Sequence, residues 1–85
     1  MWGWEFYDVD KIDKDTGKFI ECENFEELNE AIKYATDKIK NKLLDYNEIL
    51  VIYKRNYDCC RELTDEEIVK VYDNGGEQDE RKYNV

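Results

Sequence analysis

The chain has 85 residues, of which 22 are acidic and 13 basic, for a formal charge of −9. That balance repels phosphate backbones and anionic membranes, so it argues against direct nucleic-acid binding and membrane-surface binding. The length allows one small core, since a chain this short buries only about 60–65% of the surface exposed when unfolded. The pattern predicts a small two-layer α+β domain over residues 1–74 and a polar, flexible C-terminal tail over 75–85.

Residues 2 to 12 read as a strand, with Trp2, Trp4 and Phe6 alternating onto one face and Tyr7 and Val9 on the other. The run Asp13-Lys14-Asp15-Thr16-Gly17-Lys18 reads as a turn, where Asp side chains bond local backbone and Gly17 supplies a positive φ. A short strand from Lys18 to Cys22 completes an N-terminal β-hairpin. Asn24, with Glu27 three residues on, fits a capping box. Phe25, Leu28, Ile32, Ala35, Ile39, Leu43 and Tyr46 then follow at steps of three and four. This spacing predicts one long amphipathic helix over about 24–45. Acidic groups in its first turns and lysines in its last complement the helix dipole.

Ile49-Leu50-Val51-Ile52-Tyr53 is a continuous apolar run of strand length, expected to form a central antiparallel strand buried on both faces. Residues 57–63 fit either a strand extension or a loop. Thr64-Asp65-Glu66-Glu67 resembles a second capping box, and Ile68, Val71 and Tyr72 share one helical face. A short C-terminal helix over 65–73, ended by Asn74-Gly75, is therefore expected ahead of a strand, although Val69 and Val71 suit a strand equally well.

Chemistry is thinly represented. The chain lacks histidine and serine and has few threonines, which removes the commonest general base and the hydroxyl and thiol activation schemes built on it. No glycine-rich loop precedes a helix. The Asp13–Gly17 turn fails the calcium-loop spacing, because setting Gly17 at position six puts Ile12 and Lys14 at ligand positions. Cys22, Cys59 and Cys60 lack the number and spacing of a zinc site. No enzyme, metal or cofactor is expected. An odd number of cysteines suits a reducing cytoplasm, and a Cys22 disulfide would require strand 18–22 to lie beside 57–63. No transmembrane run and no secretory leader are visible.

Two features point toward partners. Twelve aromatics exceed the needs of so small a core, and tyrosine and tryptophan suit interfaces, with Trp2, Tyr7, Tyr53 and Tyr57 as surface members. Charge is also segregated: net −7 over residues 1–30, +3 over 31–56 and −5 over 57–85. One acidic surface is expected to gather Asp8, Asp10, Asp13, Asp15, Glu23, Glu26, Glu27 and Glu30. On a helix, Glu23 to Glu30 would span about 10 Å. The expectation is a non-enzymatic acidic interaction module. Its partner would be a basic protein, such as a nucleic-acid-binding effector whose groove the carboxylates occupy. A phage or mobile-element inhibitor of a host nuclease, a nucleic-acid mimic of the anti-CRISPR type, has this composition. The contacts expected first are Asp13, Asp15, Glu23, Glu26, Glu27, Glu30, Trp2 and Tyr7. The alternative is a homodimeric structural adaptor.

Overall fold

The computed structural model describes residues 3–60 and 62–78. The fold is α+β: an antiparallel sheet and one helix, in the order β1 (Gly3–Asp13), β2 (Phe19–Phe25), α1 (Leu28–Lys40), β3 (Glu48–Asp58), β4 (Leu63–Asp73) and β5 (Gly76–Gln78). The sheet runs β2-β1-β3-β4-β5. As expected, β1 and β2 form a hairpin, and the apolar run at 49–53 is central. β2 extends past Cys22 to Phe25, pairing Phe25 with Tyr7.

Alternation along β1 and β3 gives the sheet two different faces. On one face Val9, Leu50, Ile52 and Tyr72 pack against Ala31 and Ala35 of α1, with Leu44 closing the cluster. Both alanines are fully buried, and their small side chains let the helix backbone approach the sheet closely. On the other face, Ile49, Val51 and Val71 pack with Ile12, Tyr53 and Ile68. Hence the run Ile49–Ile52 is buried on both faces, as its unbroken hydrophobicity implied.

The helix is shorter than the 24–45 expected, and both ends have identifiable causes. Asn24 does not cap it. Its Nδ2 instead donates to the Asp8 carboxylate at 2.6 Å, and residues 24–25 remain in β2. Glu27 takes the N-cap position without a side-chain cap bond. At the other end Lys42 adopts a left-handed backbone, φ 57°. The Leu43 amide donates to Lys38 and the Lys42 amide to Ile39, the paired bonds of a Schellman stop. Leu43 and Tyr46 therefore leave the apolar stripe and are exposed.

The expected helix over 65–73 is strand β4. Its helical spacing comes from a bulge. Ile52 faces Lys70 and Tyr53 faces Ile68, so Val69 is an extra residue. The bulge shifts the alternation by one. Ile68 and Val71 then share one face and Val69 and Tyr72 the other, each three residues apart. Three residues of the segment read as a tail, Gly76–Gln78, form β5 against β4, and residues 79–85 lie outside those described.

Candidate functional site

Face alternation in β1 places Trp4, Phe6, Asp8 and Asp10 in one row on the sheet face opposite α1, beside Tyr57, Arg55, Tyr53 and Val51 of β3. Arg55 lies level with Phe6, but its guanidinium reaches along the face to the carboxylates. Nη1 donates to Asp8 Oδ2 at 2.9 Å, Nη2 to Asp10 Oδ2 at 2.9 Å and Nε to Glu66 of β4 at 2.6 Å. Its flat face lies 4.4 Å from the Tyr53 ring centroid. Burial by itself would lower the Arg55 pKa, yet the bonds to Asp10, Asp8 and Glu66 hold it above its ordinary value. Asp8 and Asp10, expected on an acidic surface, are instead 4% and 6% exposed and folded into this cluster. Two charges this buried persist only with such partners.

Three carboxylates share one guanidinium, and neighbouring groups register the imbalance. The Cys22 thiol, opposite Asp10 on β2, is pushed up to about 12 by burial and then by Asp10 and Asp8, against the opposing pull of Arg55. Tyr57 is also raised, first by burial and then by Asp8, again against Arg55.

Toward the Gly3 end, the same face opens into a shallow depression of about 380 Å³, lined by Trp4, Phe6, Asn24 and Tyr57. Phe6 and Tyr57 meet edge to face, with centroids 6.0 Å apart. The bond to Asp8 orients the Asn24 amide, since an ionised carboxylate can only accept; the amide oxygen remains an acceptor. The alternation of Trp4 and Phe6 was visible in the sequence as a strand face, and the structure continues that row through Asp8 and Asp10. Nothing local showed that Arg55, 45 residues beyond Asp10, would neutralise part of it.

The remaining expected contacts fall into separate groups. Asp13 and Asp15 sit at the β1–β2 turn, where Asp13 Oδ1 accepts from the Asp15 and Thr16 amides and exposed Lys14 and Lys18 supply local counter-charge. Glu23, Glu26, Glu27 and Glu30 are exposed at the opposite end of β2, around the corner into α1. By register Glu23 lies opposite Val9, about 14 Å along the strands from Asp13, so the two groups are separate. Glu23 lies in a strand and Glu26 precedes the helix, so the four carboxylates do not follow one helical face. Tyr7 lies on the α1 side, its hydroxyl donating to Glu5 at 3.1 Å; that bond, then burial, raises its pKa. Trp2 lies outside the described residues.

All three cysteines are free. Cys59 and Cys60 occupy the turn after β3, with their sulfurs 3.9 Å apart. Cys22 is not beside them, because β1 intervenes. Cys22 is level with Asp10 and Asp58 with Gly3, about 23 Å apart along the strands. Among the described residues, no group of three or more metal-ligating side chains is placed to hold an ion. No helix among them is long and apolar enough to cross a membrane.

Compared with known proteins, the chain matches no protein-family model, no curated protein and no solved structure.

Proposed function

We propose that this chain is a non-enzymatic, acidic protein-interaction module whose β2–α1 corner docks on the basic surface of a nucleic-acid-binding protein. One observation carries the reading. Lys11, Lys38, Lys54 and Arg55 are folded into internal ion pairs. Glu23, Glu26, Glu27 and Glu30 have no such partner among the described residues and stand exposed together. The Asp13–Asp15 turn is a weaker candidate, since its own lysines offset it. Unpaired surface carboxylates accelerate encounter with a cationic partner and set orientation more than they add affinity. Occupying such a partner's phosphate-binding groove would exclude nucleic acid, and inhibition is the specific form of this reading. The free thiols fit a reducing cytoplasmic setting.

The test is affinity capture on the immobilised chain from a suspected target cell, with a Glu23/Glu26/Glu27/Glu30→Gln variant as comparison. A basic protein should be retained by the parent, released by about 0.5 M salt and displaced by duplex DNA. Retention indifferent to both salt and the four substitutions would falsify the assignment.

A second reading has its own observation. Phe19 and Ile20, 56% and 44% exposed, lie on β2 at the margin of the sheet, where an unpaired backbone edge can template a second copy. A homodimeric adaptor would pair there. Glu21 and Glu23 on the same strand would oppose it. Light scattering at micromolar concentration decides: a strict monomer removes this reading.

A further inference from the structure

We infer that the depression formed by Trp4, Phe6, Tyr57 and Asn24 receives a cationic side chain, an arginine guanidinium, presented by the basic partner. The inference rests on the acidic-module reading and adds to it a defined anchor point, on the opposite sheet face from α1.

Three properties of the site select this occupant. First, its walls are aromatic. Trp4 is 46% exposed although large and apolar, and Phe6 and Tyr57 meet edge to face beneath the same opening. Ring faces attract cations through their quadrupole, and a planar guanidinium adds stacking that a compact ammonium lacks. The protein already makes this contact internally, with Arg55 laid over Tyr53 at 4.4 Å.

Second, among the described residues the charge nearby is negative on balance. Asp8, Asp10 and Glu66 face a single guanidinium, and Asp8 borders the depression through Asn24. The donors of Arg55 are spent on these three carboxylates, so its one charge cannot offset them all. Tyr57, raised first by burial and then by Asp8 against the pull of Arg55, is consistent with that sign. A phosphate, nucleotide or acidic peptide would meet repulsion there.

Third, Asn24 offers the right polarity. Asp8 engages its amide nitrogen, leaving the oxygen to accept an N–H from the guest. A volume of about 380 Å³ admits one long side chain and is near the lower end for a small-molecule site.

The test uses the full chain, uniformly 13C/15N-labelled, titrated with acetyl-arginine-amide and with acetyl-citrulline-amide, its uncharged near-isostere. Arginine should move the Trp4, Phe6 and Tyr57 ring signals and the Asn24 side-chain amide, and citrulline should bind at least about fivefold more weakly. Trp4→Leu should abolish the ring shifts, with unchanged Val9 and Ala31 signals reporting an intact fold; Tyr57→Leu provides a second variant. Equal response to citrulline overturns the inference, as do shifts confined to residues 23–30.

A hexa-arginine peptide separates this inference from the reading beneath it. Loss of roughly fivefold in affinity on Trp4→Leu supports the anchor. Unchanged affinity on Trp4→Leu, with loss on the fourfold Glu→Gln substitution, overturns the anchor and leaves the acidic corner standing. Affinity unchanged by either set removes both.

Discussion

Arg55 and Asp10 are joined by two hydrogen bonds across the β1–β3 ladder, Nη2 to Oδ2 at 2.9 Å and Nη1 to Oδ1 at 3.4 Å. Both ends of this pair are withdrawn from solvent, and Asp8 shares the same guanidinium. Removing the arginine alone therefore strands two buried carboxylates. Arg55→Met should cost about 3 kcal/mol in urea denaturation, near the low end for a buried pair because Glu66 remains partly hydrated. Adding Asp8→Asn and Asp10→Asn to that variant should recover part of the loss. A single-substitution cost below about 1 kcal/mol would show the cluster to be a surface pair in energetic terms.

The thiol of Cys22 should be slow to react. With its pKa at about 12, against an ordinary value of 9.0, little thiolate forms near neutrality. At about pH 8, iodoacetamide should alkylate Cys22 at least tenfold more slowly in the native chain than in the urea-unfolded chain. Peptide mapping reads the ratio.

The same shift has a stability counterpart with a definite sign. The unfolded thiol ionises first as pH rises, so its stabilising contribution is complete below 9.0 and disappears on the way to about 12. Tyr53 and Tyr57, also raised, act in the same direction at alkaline pH. Urea midpoints should fall across that interval, and Cys22→Ala should shallow the fall. A midpoint flat over that range would contradict the raised pKa values of these groups.

Helix ends offer two stabilising substitutions. Lys42 occupies the left-handed position of the Schellman stop, where a Cβ is unfavourable, so Lys42→Gly should gain about 1 kcal/mol and Lys42→Ala nothing comparable. Glu27 caps without a side-chain bond, and Glu27→Asp should gain about 0.5–1 kcal/mol while keeping the charge. Thermal midpoints measured singly and together should show near-additive gains.

These outcomes also mark where the sequence was readable. Local periodicity located β1, the hairpin and the central strand because burial there follows alternation or continuous hydrophobicity. It misled at β4, where one bulged residue, Val69, gave a strand the spacing of a helix. Asn24 and Glu27 satisfied a capping pattern, but a carboxylate on the neighbouring strand took the Asn24 side chain. The acidic surface was partly legible. Glu23, Glu26, Glu27 and Glu30 are exposed, whereas Asp8 and Asp10 were removed by a cation distant in sequence. Such pairing depends on strand order, which no short window encodes.

The eleven-residue ladder between β1 and β3 runs without a register shift. A slip by two positions would keep every side chain on its original face, and apolar pairs such as Val9 and Ile52 would tolerate it. Arg55 would not. Moved about 7 Å along the strand, it could no longer bridge both Asp8 and Asp10, and an uncompensated carboxylate would remain in the sheet. The cluster thus works as a key that fits one alignment of β1 and β3, and that alignment holds Trp4 against Tyr57.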